Sequence, residues 1–252
     1  MRSVASFSSI SQKGTAAIVG LGPKLGLSIA RKFAREGYTV AILSSDLGRL
    51  SRFAEEIARQ EKAQVFAIRI DCSDPRSIRE AFEGVLSLGF VEVLVYNAYH
   101  SSSSQPTSFT QIPIQSFQRS IAVSSIGPFY CAQQVLPSMV ERGRGTILFT
   151  GCSASINGTA GYSELCCGKF ALRGLSQSLA REFQPLGIHV AHVIIDGIVG
   201  QPRRQGSSGV GFEQQRRAGE EGMDPDVLAQ TYWQLHIQDR TAWTREIDLR
   251  PT

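Results

Sequence analysis

Thr15-Ala-Ala-Ile-Val-Gly-Leu-Gly-Pro-Lys-Leu-Gly26-Leu-Ser-Ile-Ala-Arg-Lys-Phe-Ala-Arg-Glu-Gly37 is the stretch from which the fold follows. Ala16 to Val19 is a short apolar run and reads as a buried strand. Glycines follow at Gly20, Gly22 and Gly26. Leu25, Ile29 and Phe33 then recur every four residues, one face of a helix, and Gly37 suits its C-terminal cap. A strand, a glycine loop and a helix in this order aim a helix N-terminus at a phosphate. Glycine is needed there so that the backbone turns tightly and a pyrophosphate approaches without a Cβ in the way. Gly20, Gly22, Lys24, Leu25 and Gly26 are therefore candidate cofactor contacts.

Outward from this unit, strand-like and helix-like segments alternate. Strands are expected at Ala16–Val19, Thr39–Leu43, Val65–Ile70, Val91–Tyr96, Thr146–Phe149 and His189–Ile195, with a short last strand within Thr244–Leu249. Helices are expected at Gly26–Glu36, Leu47–Glu61, Pro75–Leu88, Ile114–Val140 and Glu164–Phe183, and from Asp224-Pro225 onward with Leu228, Tyr232 and Leu235 on one face. The pattern predicts a single-domain α/β protein of the Rossmann type, a doubly wound parallel sheet with helices on both faces. Its domain runs from 15 to 252, after a Ser-rich disordered tail over residues 1–14. Ligands in such sheets sit beyond the C-terminal strand ends.

Composition narrows the classes. The 252 residues and 42% apolar content fit one core of this kind, and the net charge of +4 from 26 basic and 22 acidic residues is too mild for nucleic acid. No apolar run is long enough for a membrane span. The five cysteines are odd in number, and their spacings match no zinc ligand set; no metal is expected, and a reducing compartment, the cytoplasm, fits.

The residues after each strand carry the candidate site. Ser44-Ser45 follows strand two, where a fold preferring NAD holds a carboxylate for the ribose 2′-OH. With Lys24 and Arg49 nearby, a 2′-phosphate is tolerated, so NADP (NADPH) is expected and NAD disfavoured. Asp46 is placed to cap the next helix. Asp71-Cys72 follows strand three, with Asp71 in reach of an adenine amino group. Asn97-Ala98 follows strand four, and Asp196-Gly197-Ile-Val199 strand six. His192 reads as a core histidine, and His236 has no evident partner. The segment 201–223 reads as a lid over a small-molecule substrate.

Taken together, Gly20 and Gly26, Asp71, Asn97-Ala98 and Lys169-Phe-Ala-Leu-Arg-Gly-Leu resemble the short-chain dehydrogenase/reductase family from about Thr15 to Leu249. The resemblance implies a nicotinamide-dependent oxidoreductase, homodimeric or homotetrameric through the two long helices. It also implies a Tyr-x-x-x-Lys pair facing the cofactor, with tyrosine as acid/base and lysine on the nicotinamide ribose. Here the lysine is Lys169, and Leu165 stands four residues before it. Taking Tyr162 as the tyrosine puts Cys166 in the lysine place and breaks the downstream register. The family's serine falls on Cys152, with Ser153 adjacent, and its asparagine near Ser124. Lys24 stands where the loop's middle glycine belongs, Tyr99 where the glycine after Asn-Ala belongs, and Asp196 where proline precedes Gly197. The expected catalytic set is Lys169, Cys152, Ser153 and Tyr162, with Cys152, Ser153, Tyr162, Tyr99 or an ordered water as proton donor. An isomerase or cyclase, or a nucleotide binder without chemistry, are the alternatives on the same scaffold.

Overall fold

The computed structural model describes residues 13–100, 105–201 and 222–251. Residues 1–12 of the expected tail and 202–221 of the expected lid lie outside them. Lys13 and Gly14, assigned to the tail by sequence, are held: the Lys13 ammonium donates to the Glu36 carbonyl and the Gly14 N–H to Glu92 Oε2 at 3.0 Å.

The order is β1 (Thr15–Val19), α1 (Leu25–Arg35), β2 (Thr39–Ser44), α2 (Leu47–Glu61), β3 (Val65–Arg69), α3 (Pro75–Ser87), β4 (Val91–Tyr96), α4 (Ile114–Ile121), α5 (Gly127–Arg142), β5 (Gly145–Gly151), α6 (Ser163–Phe183), β6 (Ile188–Ile195), α7 (Pro225–Ile237) and β7 (Glu246–Leu249). The strands form one seven-stranded sheet, β3-β2-β1-β4-β5-β6-β7, parallel throughout. The order in which successive strands are laid across the sheet reverses between β1 and β4, which makes the crevice above Val19 and Tyr96 the ligand position.

Alternation along each strand feeds two cores. Ile18 and Ile42 face Ile29 and Phe33 of α1, Leu50 and Ile57 of α2, and Tyr232 of α7. Val19 and Leu43 face Phe82 of α3, Val135 of α5 and Leu172 of α6. All three residues of the α1 stripe are buried, Ile29 and Phe33 completely. Each such side chain stabilises by roughly 1.5–3 kcal/mol. Asp46, Asp74 and Asp224 cap their helices, accepting from the N–H groups of Arg49, Arg76 and Asp226.

The helix expected over Ile114–Val140 is instead α4 and α5 joined by a π turn, Ala122–Ile126. Pro128 has no N–H, so the Ser124 carbonyl loses its α-helical partner and the chain widens there. Gly127 fits because a Cβ would lie 2.6 Å from both the Cys72 carbonyl and the Tyr96 hydroxyl. No helix among the described residues is long and apolar enough to cross a membrane.

Candidate active site

Two neighbouring cavities occupy the crevice, of about 350 and 490 Å³, and Gly22, Asn97 and Tyr99 line both. The glycine loop between them is set by close contacts. Gly20 has φ +82°, and a Cβ on it would fall 2.2 Å from the Ala98 nitrogen. The Gly20 and Leu21 N–H groups donate to the Leu43 carbonyl, and Asn97 Nδ2 donates to the Gly20 carbonyl at 3.0 Å. Gly26 lets α1 pack on the loop, its Cβ position being 3.1 Å from Leu21 Cα. At Gly22 no atom lies within 4 Å of a Cβ position. That open backbone beside the α1 N-terminus fits a pyrophosphate.

The first cavity is lined by Ser44, Ser45, Arg49, Asp71, Cys72, Asn97 and Ala98. Arg49 also meets Asp46 at 3.3 Å. Asp71 accepts from Ser73 Oγ at 2.6 Å and from the Ser73 N–H at 2.9 Å, which holds its carboxyl below the usual range. Burial pushes the Cys72 thiol up to about 12, so it stays neutral. His100 and Arg119 line this cavity too. His100 adjoins Asn97-Ala98, but Arg119 arrives from α4 and carries no sequence signal.

The second cavity gathers Gly22, Lys24, Leu25, Gly26, Tyr99, Cys152, Leu165, Lys169, Gly197 and Val199. Lys24 therefore belongs here and not beside Ser44 and Arg49, because its Nζ reaches the Val199 carbonyl at 2.7 Å. Lys169 is buried and donates to the Thr150 carbonyl at 2.8 Å; burial lowers its pKa. Thr150 is itself fixed by Tyr232 of α7, hydroxyl to hydroxyl at 2.7 Å, a support that sequence reading missed. The Tyr99 ring centre lies 5.8 Å from Lys169 Nζ. Leu165, one turn before Lys169, shares the same wall.

Two expected catalytic residues are not brought to the cavities. Ser153 and Tyr162 line neither. Ser153 opens a short turn after Cys152, and Tyr162 sits at the N-cap of α6. Ser124 is buried in the π turn with its hydroxyl unbonded, against Gly168 of α6.

Behind the cavity, His192 is buried in β6 with Nδ1 3.3 Å from Glu246, whose carboxylate also takes both arms of Arg173 at 2.7 Å. Burial outweighs that carboxylate and lowers the His192 pKa to about 4, so the ring is neutral. His236 does have partners, the Tyr38 hydroxyl at 2.6 Å and Thr146 Oγ1 at 2.9 Å, and its pKa is likewise lowered to about 4 by burial. Among the described residues on either side of 202–221, the Gly200 N–H donates to the Met223 carbonyl and the Met223 N–H to the Ile198 carbonyl.

A family profile described as short chain dehydrogenase matches residues 14–207. The 3-ketodihydrosphingosine reductase of Bos taurus is 28% identical over 181 residues, 69% of this chain and 53% of that protein. The chain thus spans about half the length of this relative. A short-chain dehydrogenase from Rhodopseudomonas palustris is 28% identical, with a TM-score of 0.80 over 95% of this chain and 99% of that one. A metagenomic short-chain oxidoreductase in complex with NADP has a TM-score of 0.79 at 24% identity, over 95% and 97% of the two chains; at that identity the likeness is one of fold.

Proposed function

The chain belongs to the short-chain dehydrogenase family, and from that premise we propose that it is an NADP(H)-dependent oxidoreductase interconverting a carbonyl and an alcohol on a small organic substrate, with a substituted proton donor. The observation that carries this reading is one cavity wall holding Lys169 beside Leu165, continuous past Gly22 with a cavity holding Ser44 and Arg49. Neutral Ser44 and Ser45 with Arg49 support a 2′-phosphate over a free ribose hydroxyl. When bound, the reduced dinucleotide supplies a hydride to the substrate.

The chain's own task is to bind, to orient and to hold a proton at the substrate oxygen. Leu165 has none to give, so the family's tyrosine is absent from its usual place. Cys152 and Tyr99 line the cavity, and a water held by Lys169 is the third candidate donor. Tyr99 is favoured, because its ring lies beside the Lys169 ammonium and so pairs a phenol with that lysine from the loop after β4. Leu165 equally supports a nucleotide binder without chemistry. Exposed Ile126, Phe129 and Phe170 support self-association into a dimer or tetramer through α5 and α6.

Titrating NADPH and NADH into the native protein and into Lys169→Ala tests the cofactor half. NADPH binds more tightly, and Lys169→Ala weakens it by about 1.5–3 kcal/mol, one charged hydrogen bond. Tighter NADH binding contradicts the 2′-phosphate site, and unchanged affinity in the variant removes Lys169 from the cofactor.

A further inference from the structure

We propose that Lys24 is the pyrophosphate-binding cation of this cleft, parked on the Val199 carbonyl in the free protein and transferred to a phosphate oxygen when a dinucleotide binds. The inference rests on the dinucleotide reading above and names how the diphosphate is held.

Lys24 is the N-cap residue of α1, and its side chain caps nothing. The first turn of α1 carries no acid, so the partial positive charge of the helix start is not offset from within the helix. The ammonium instead crosses to β6's exit segment, 175 residues away, and meets a neutral carbonyl at 2.7 Å. Among the described residues no carboxylate lines this cavity, which holds Lys169 as well. Two cations and no anion leave a charge that a ligand can neutralise. A phosphate oxygen offers the Lys24 ammonium an opposite charge to pair with, which a neutral carbonyl does not.

Position selects the diphosphate over the 2′-phosphate. Gly22, open to a ligand and shared by both cavities, stands two residues from Lys24. A ligand spanning the two cavities crosses Gly22, and its diphosphate passes the start of α1. Ser44 and Arg49 lie in the first cavity, away from Lys24. The carbonyl that Lys24 leaves belongs to a segment still tied to Met223 through Ile198 and Gly200, so the exchange frees Val199 without undoing that tie.

The test is calorimetric titration of ADP, which carries the 5′-diphosphate, and of 2′-AMP, which carries only the 2′-phosphate. Lys24→Met weakens ADP about tenfold or more and leaves 2′-AMP within about twofold, while Arg49→Met does the reverse. Lys24→Gln keeps a hydrogen bond for Val199 without the charge and guards against a folding defect; it loses ADP affinity like Lys24→Met, whereas Lys24→Arg retains it. Undiminished ADP binding in Lys24→Gln makes the lysine a structural tie only and overturns the proposal, as does a loss confined to 2′-AMP. Native protein that binds neither nucleotide overturns the dinucleotide reading itself, and this inference with it.

Discussion

Two tyrosine positions decide what the site can do. Leu165 fills the place one turn before Lys169, and Tyr99 enters the same cavity from another element. A positioned general acid contributes about 10²–10⁴-fold. Tyr99→Phe removes only a hydroxyl and leaves the ring beside Lys169, so it lowers carbonyl reduction by that factor while NADPH affinity stays the same. Steady-state rates alongside a binding titration check this; a variant as fast as the native protein moves the role to Cys152 or to a water on Lys169.

At the scale of elements, the strand, glycine loop and helix at the start of the chain were legible because each glycine has a separate physical reason. Gly20 has a left-handed φ of +82° and no room for a Cβ, so Gly20→Ala destabilises the protein by at least about 1–2 kcal/mol. Gly22 has room, so Gly22→Ala leaves stability within about 0.5 kcal/mol yet weakens NADPH binding where the pyrophosphate approaches. Urea melts and NADPH titrations of the pair separate the two roles; equal loss of stability in both contradicts the assignment. The α1 stripe and the Asp-Pro caps were legible for the same reason, since local spacing fixes them. The π turn was not, because one missing N–H at Pro128 is invisible to apolar periodicity. Lys24 was placed by sequence near Ser44, but a lysine's reach is set by a carbonyl 175 residues on. Tyr162 looked catalytic by proximity to Lys169, yet it is the N-cap of α6 with a non-helical backbone, φ −125° and ψ 26°, outside the helical frame that puts Leu165 and Lys169 on one face. The partners of His236 come from the turn just before β2 and from β5, which no local pattern links.

Across the whole molecule, alternation predicted the parallel sheet and its crevice, and the strand order β3-β2-β1-β4-β5-β6-β7 puts the cleft there. The same burial that builds the two cores sets the acid response. His192 and His236 are held neutral with pKa values of about 4, against an ordinary value of 6.5. The unfolded chain binds these protons more readily, so stability is full above pH 6.5 and falls as pH drops toward 4, by up to about 3 kcal/mol for each histidine. Urea midpoints across that range show the decline, and His192→Gln flattens part of it; a flat profile between pH 6.5 and 4.5 contradicts buried neutral imidazoles. The central claim, an NADPH-dependent carbonyl chemistry run without the usual tyrosine, is tested most directly by NADPH consumption across a panel of ketones and aldehydes, in native protein and in Leu165→Tyr. The account predicts substrate-dependent consumption by the native protein, reduced in Leu165→Tyr because the larger ring fills the space its own donor needs. A silent native protein that Leu165→Tyr switches on would contradict it.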